Sequence, residues 1–458
     1  MDAHCVHVES TDGGMMRLNT PPRSFGPQYY PCLMELYRSA GVAIEPWSWA
    51  WVAFVMGHRN PIIRVDRDVR VFGYAVPTFL DFSRPLETLR LWRDGLRFSR
   101  AAKRDLLDPE INDVTLGEYL DRLGVSHEYK VKALLPTLSM VCTCTYEACL
   151  AYPAGLVLEF YAKTTTYGQY RTKFGTQDAV AKLTAGIAEI KTGVQVNRVT
   201  RRDAARGDKA VVGWLAADGS QQEQLFDDIV LATQANHALQ VVEGLDLAER
   251  ELLASFDHET SQVAIHRDER VMPSAAKHWA PMSVGIKPEQ AMGEAAAMFT
   301  IWMNDSFPKI KGNLFQTWNP VIDIPEDQLV DEVITFERPV MTRRSLAAVT
   351  GLAGSQGRGG LWFCGAWNAC RIPLQESGVM SGIQVARGLV GAEDLVGGTF
   401  AKIEIDHAKI HHPDNHTTSD SSELYQTRIT GLLASSPLLR YAVVASLAFA
   451  VVRASRTL

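Results

Sequence analysis

The sequence predicts an α/β fold, and three stretches carry that reading. Asp227-Asp228-Ile229-Val230-Leu231-Ala232-Thr233 joins a charged entry to a short apolar run, the pattern of a buried parallel strand. A second apolar run, Leu361 to Trp367, follows a loop containing Gly351, Gly354, Gly357, Gly359 and Gly360, and it passes through the small residues Gly365 and Ala366. Gly378 to Leu389 then reads as a helix, with Gly378, Ser381, Gly382 and Ala386 on closely spaced turns.

The other elements follow along the chain. Up to about Glu45 turn formers dominate: Asp12-Gly13-Gly14, Pro21-Pro22, Gly26-Pro27 and Pro31. Cys32 to Arg38 has apolar residues at helical spacing, and Gly41 is placed to end that helix. Trp47, Trp49 and Trp51 alternate, so a single strand would set all three on one face, against a substrate cavity or the core. Pro85 to Leu107 sets Leu86, Leu89, Leu91, Trp92, Leu96 and Phe98 among Arg90, Arg93, Arg97 and Arg100, a basic surface helix with one core face. Thr115-Leu116-Gly117-Glu118 is a capping box for a helix running to Leu123, where Gly124 stops it. Helical pattern continues to Leu138, and Asp178 to Ile190 is a further short helix. Val194, Val196 and Val199 mark a strand. Val211 to Leu215 and Gln224 to Phe226 form a hairpin about Asp218-Gly219. Leu247 to Phe256 is helical, and a mixed region runs from Val263 to about Leu352.

Composition narrows the function. A chain of 458 residues suggests two or three domains at roughly 150 residues each. Forty-six Lys and Arg against 52 Asp and Glu give 46 − 52 = −6, which argues against a nucleic-acid partner. Seven cysteines in so long a chain do not make a disulfide framework, so a reducing, cytoplasmic setting is expected. Cys142, Cys144 and Cys149 read as buried structural thiols. The His407, His411, His412 and His416 group lies in a polar flank with Pro413 and reads as a solvated linker, so no metal is expected. His237 reads as a capping or surface histidine. The apolar run Tyr441 to Val452 is shorter than the roughly 20 residues that span a bilayer. With its extension back to residue 432 it reads as a weak membrane anchor, an interfacial helix or a helix docked on the body.

The strand–turn–helix from Trp362 to Leu389 carries the chemistry. Backbone N–H groups at a helix start bind anionic groups, and glycines let the backbone come close. Phe363-Cys364-Gly365-Ala366-Trp367, then Glu376, Gly378, Ser381-Gly382 and Val385-Ala386, resembles the C-terminal flavin-binding segment of the FAD-dependent amine oxidase superfamily. Further stretches resemble the same group: Cys144 with Leu150-Ala151-Tyr152-Pro153-Ala154, Phe226 to Asn236, His266, Asp268, Met272-Pro273, Trp279, Met303-Asn304 and Asn319-Pro320.

The resemblance implies a discontinuous Rossmann-like FAD-binding domain with an inserted α+β substrate domain. It divides the chain into 1–45, a remnant of the N-terminal FAD segment, and 46–173, a mainly helical substrate segment. Next come 174–236 of the FAD domain, 237–350 of the substrate domain, 351–398, the C-terminal FAD segment, and 399–458, linker and apolar tail. Val196 would meet the adenine, and Thr233 and Gln234 the dinucleotide. Gly365, Ala366, Trp367, Glu376 and Gly378 would lie near the pyrophosphate and isoalloxazine. The implied activity is hydride removal from a C–N or C–C bond of a small molecule, taken as lipophilic from the aromatic content and tail. No residue presents itself as a catalytic acid or base.

Two departures stand out. Nowhere does the sequence contain the Gly-x-Gly-x-x-Gly that opens the family's fold, and Asp12-Gly13-Gly14 and Gly357-Arg358-Gly359-Gly360 lack its spacing. The first βαβ unit is therefore expected to be missing, by truncation or in a homologue that holds FAD weakly or not at all. The family's His-Glu-Asp-Gly reads Gln375-Glu376-Ser377-Gly378 here.

Overall fold

A computed structural model describes residues 4–20, 24–47, 50–71, 74–80, 85–164, 168–287 and 297–389, with backbone alone for 67–71 and 74–80. The histidine group and the apolar tail lie outside the described residues.

The largest element is an eight-stranded mixed sheet. Its order is Ile334–Val340, Asp257–His266, Phe315–Trp318, Met298–Trp302, Met282–Ile286, Ala50–Val55, Ile63–Val71, Tyr74–Leu80. Met282–Ile286 runs parallel to Ala50–Val55, and the other neighbours are antiparallel. Helices Pro85–Asp105, Leu116–Leu123, Leu135–Cys142, Tyr146–Ala151 and Ala154–Thr164 form the adjoining layer. Leu91, Phe98, Leu120, Leu135, Leu138, Leu156 and Leu158 share one core with Val263, Ile265, Ile301 and Trp318 of the sheet. Removing such side chains from water is the main force holding the layers together.

Smaller elements surround this body. Strands Ile229–Leu231 and Leu361–Phe363, each read as a strand from the sequence, pair with each other in parallel. Gln195–Asp203, Lys209–Leu215 and Gln221–Phe226 form a three-stranded meander. His4–Glu9 and Met15–Thr20 form an antiparallel hairpin that buries Val6, Val8 and Leu18. Asp12-Gly13-Gly14 is therefore a hairpin turn, with Gly13 at φ 83°. Gly357 sits against the Trp362 indole, where an added Cβ would come within 2.6 Å of the ring, so this glycine serves packing.

Local signals were accurate where they were strong. Thr115 accepts from the Glu118 N–H at 3.2 Å, Glu118 accepts from the Thr115 N–H at 2.7 Å, and Gly124 ends the helix at φ 67°. Helix Pro31–Ser39 is followed by Gly41 at φ 69°. Two expectations shift. The helix expected over 178–190 spans Gly175–Thr184, and exposed Gly186 disfavours its continuation. Trp47 and Trp51 do not share a strand: Ile44–Trp47 pairs with Gln169–Thr172, whereas Ala50–Val55 enters the large sheet. Trp49 is outside the described residues.

Candidate functional site

The parallel pair delivers the chain to a tight turn. Gly365 lies at φ 143°, and a Cβ there would stand 2.7 Å from Trp367 Nε1. Glycine is required on both counts. The Gly365 N–H donates to Ser381 Oγ at 2.9 Å, pinning the turn to the helix Gln375–Leu389. The indole N–H of Trp367 donates to Thr233 O at 2.9 Å, and Phe256 packs edge-on against its ring at 4.8 Å. Asn368 Nδ2 donates to Phe363 O at 2.9 Å. Ala366 is half-buried between these residues.

Thr233, Gly365 and Trp367 are thus brought together. Gln234 adjoins them and donates through Nε2 to Glu337 O at 3.1 Å. Thr233 Oγ1, Gln234 Oε1 and Gln375 Nε2 are buried and have no hydrogen-bond partner among the described residues. Thr233 and Gln234 adjoin the Trp367 contact, so their unpartnered atoms are positioned to meet a further polar group, while Gln375 lies at the start of the helix Gln375–Leu389. Val196 lies half-buried on the meander, opposite Trp214. Further along the same strand the Val199 carbonyl accepts from the Glu243 N–H at 2.9 Å.

Glu376 and Gly378 stand at the start of the helix Gln375–Leu389, and both are buried. The Glu376 carboxylate accepts from the N–H groups of Cys32 and Leu33, each at 2.9 Å. Those are the first donors of the helix Pro31–Ser39, because Pro31 has none. Glu376 therefore closes the end of a helix 344 residues away. Arg371 is buried beside it, with Nη1 3.9 Å from the carboxylate. Arg371 also pairs with Glu159 at 2.9 and 3.2 Å and stacks over the Tyr29 ring at 4.1 Å. Lys163 completes the group, 2.6 Å from Glu159.

The electrostatics follow from burial. Burial opposes the charge on Arg371, but Glu159, with Tyr29 and Glu376, outweighs it and raises the pKa, so the guanidinium stays charged. Burial also opposes the charge on Glu159, yet Arg371 and Lys163 hold its carboxyl below the usual range. For Glu376 burial prevails and the pKa rises, despite Arg371 and the two N–H donors. Lys163 is lowered by burial, against the pull of Glu159. Burial keeps the Tyr29 phenol protonated.

Sequence reading missed Arg371, Glu159, Lys163 and Tyr29. A faint signal existed: Glu159 and Lys163 form an i, i+4 pair on the otherwise apolar helix Ala154–Thr164. His237 is half-buried, with Nε2 3.5 Å from Glu337. All seven cysteines are free, and Cys142, Cys144 and Cys149 are buried, with the last two sulfurs 3.6 Å apart.

No known protein family and no curated protein matches this sequence. Solved structures do match. One is a triple mutant of putrescine oxidase from a redesign of its cofactor binding, with a TM-score of 0.52 at 10% identity over 85% of this chain and 91% of that one. Another is a CLA-producing fatty acid isomerase from P. acnes, with a TM-score of 0.51 at 14% identity over 80% of this chain and 84% of that one. The chain is a mixed α/β protein whose fold is similar to those of putrescine oxidase and the fatty acid isomerase.

Proposed function

We propose that this chain is an FAD-dependent oxidoreductase of the amine-oxidase type, acting on a lipophilic small molecule. The observation that carries the reading is the Gly365 turn, with orphaned polar atoms of Thr233 and Gln234 beside it, set in a fold similar to that of putrescine oxidase. Those atoms and a glycine that no side chain can replace fit a dinucleotide. Segments 174–236 and 351–398 would hold it. Thr233, Gln234, Gly365, Ala366 and Trp367 would line the dinucleotide, Val196 would meet its adenine, and Glu376 and Gly378 would brace the helix start beside it. Segments 46–173 and 237–350 would form the substrate domain. When bound, the flavin accepts the hydride removed from a C–N or C–C bond.

The chain's own residues would bind, orient and exclude water. Glu159 is engaged by Arg371 and Lys163, and Glu376 by two backbone donors, so neither carboxylate is free to take a substrate proton. Selectivity would then rest on placement in an apolar enclosure. A fatty-acid-like substrate is supported by the likeness to a protein whose name records a fatty acid isomerase.

A second reading has one observation in its favour: the sequence has no Gly-x-Gly-x-x-Gly. On that reading the chain keeps the fold and binds FAD weakly or not at all. The visible absorption spectrum of the purified full chain, after FAD addition and desalting, separates the two. Retained flavin bands are expected; a colourless protein would favour the second reading.

A further inference from the structure

The helix Pro85–Asp105 turns one face to the core, with Thr88, Leu91, Asp94, Phe98, Ala101 and Ala102 buried. Its opposite face is neither core nor an ordinary polar surface. Leu86, Leu89 and Trp92 are 76%, 60% and 50% exposed. Arg90, Arg93, Arg97, Arg100 and Arg104 are exposed along the same side. At 100° per residue, Leu86, Leu89, Arg93, Arg97, Arg100 and Arg104 fall within about a quarter of the circumference, and Trp92 lies about 60° beyond it on the Leu89 side.

The helix's own acids do not share this face. Asp94 is buried, and Glu87 and Asp105 are half-buried. Glu87 pairs with Lys132. Arg90 meets Glu128 at 3.1 Å, while Arg97 donates to Gly124 O at 3.2 Å, a neutral partner that leaves its charge unbalanced. Arg93 pairs with Asp94 at 2.7 Å and Arg104 with Asp105 at 2.5 Å, so the cationic excess of this face rests on Arg97 and Arg100, on a chain whose net charge is −6.

We propose that this helix face is a docking surface for an anionic lipid bilayer. Apolar and aromatic side chains next to arginines are the composition of a helix lying in a membrane interface. Leu86, Leu89 and Trp92 would enter the headgroup boundary, while the arginines meet lipid phosphates. Arginine suits that role because its planar fork pairs with phosphate oxygens. Net negative charge elsewhere would orient the protein, repelling other faces from the same surface.

The test uses the full chain and sedimentation with vesicles. Two compositions are compared: pure phosphatidylcholine, and equimolar phosphatidylcholine and phosphatidylglycerol. Wild type is expected to pellet with the anionic vesicles alone, and less so as salt is raised. Arg97→Glu/Arg100→Glu and, separately, Leu86→Ser/Leu89→Ser/Trp92→Ser should each lower partition at least tenfold. Circular dichroism checks that these surface changes leave the fold intact. Absence of wild-type binding, or variants that bind like wild type, would overturn the proposal; the latter would place attachment elsewhere, as in residues 432–452. Partition is read without flavin or turnover, so the result stands apart from that of the absorption spectrum.

Discussion

Gly365→Ala tests the turn at the centre of the candidate site. The backbone at φ 143° is open to glycine and strained for any other residue, at about 1 to 3 kcal/mol. The new methyl would also stand 2.7 Å from Trp367 Nε1, so the indole must move. That motion breaks its 2.9 Å bond to Thr233 O, worth about 1 kcal/mol net. Together the loss is about 3 kcal/mol. Scanning calorimetry should show a Tm several degrees lower, and near-ultraviolet circular dichroism should report a reoriented tryptophan. Ala366→Gly is the control: this half-buried neighbour has no positive φ and should cost about 1 kcal/mol or less. Equal Tm for Gly365→Ala and wild type would refute the claim that the turn admits only glycine.

Three further outcomes are expected. Arg371→Leu leaves Glu159 and Glu376 buried without their shared cation and should cost about 3 to 5 kcal/mol in urea unfolding. Glu376→Ala uncaps the helix Pro31–Ser39 by orphaning the Cys32 and Leu33 N–H groups, at about 2 kcal/mol or more, read by the same unfolding curves. Burial lowers the His266 pKa from 6.5 to about 4, so its contribution to stability is complete above the higher value and lost as pH falls toward the lower. That loss is at most about 3 kcal/mol, and His266→Gln should flatten stability across the same window in a pH series of unfolding curves.

What the sequence disclosed was mostly local. Thr115 and Glu118 lie three residues apart and announce a helix start through two hydrogen bonds. The parallel strands were legible because each is a short apolar run beside charge or glycine. Their partnership spans residues 229 to 363, and no sequence pattern announced it. The hairpin His4–Glu9 with Met15–Thr20 was read only at its turn, because its strands mix polar and apolar residues. The eight-stranded sheet was unreadable as a sheet, since it pairs Met282 with Trp51 across the whole helical layer. Arg371 was missed for the same reason: its partner Glu159 is 212 residues away, and neither has a signature of its own. Glu376 was singled out for ligand contact, and its two bonds to the Pro31–Ser39 helix lay beyond any sequence pattern.

One buried polar row in the large sheet has a consequence for how the chain finds its alignment. Thr300 and Thr317 face each other across paired strands, with their hydroxyls 2.9 Å apart, and His266 Nε2 lies 2.7 Å from the Thr317 hydroxyl. All three side chains are fully buried. Side chains alternate faces, so sliding Phe315–Trp318 by one residue would turn Thr317 away and set Gln316 or Trp318 in its place. The displaced hydroxyls would lose their partners inside an apolar layer. Greasy strands slide past one another with little to choose between offsets. This row works as a key that turns in one position, trading some depth of burial for a single permitted pairing.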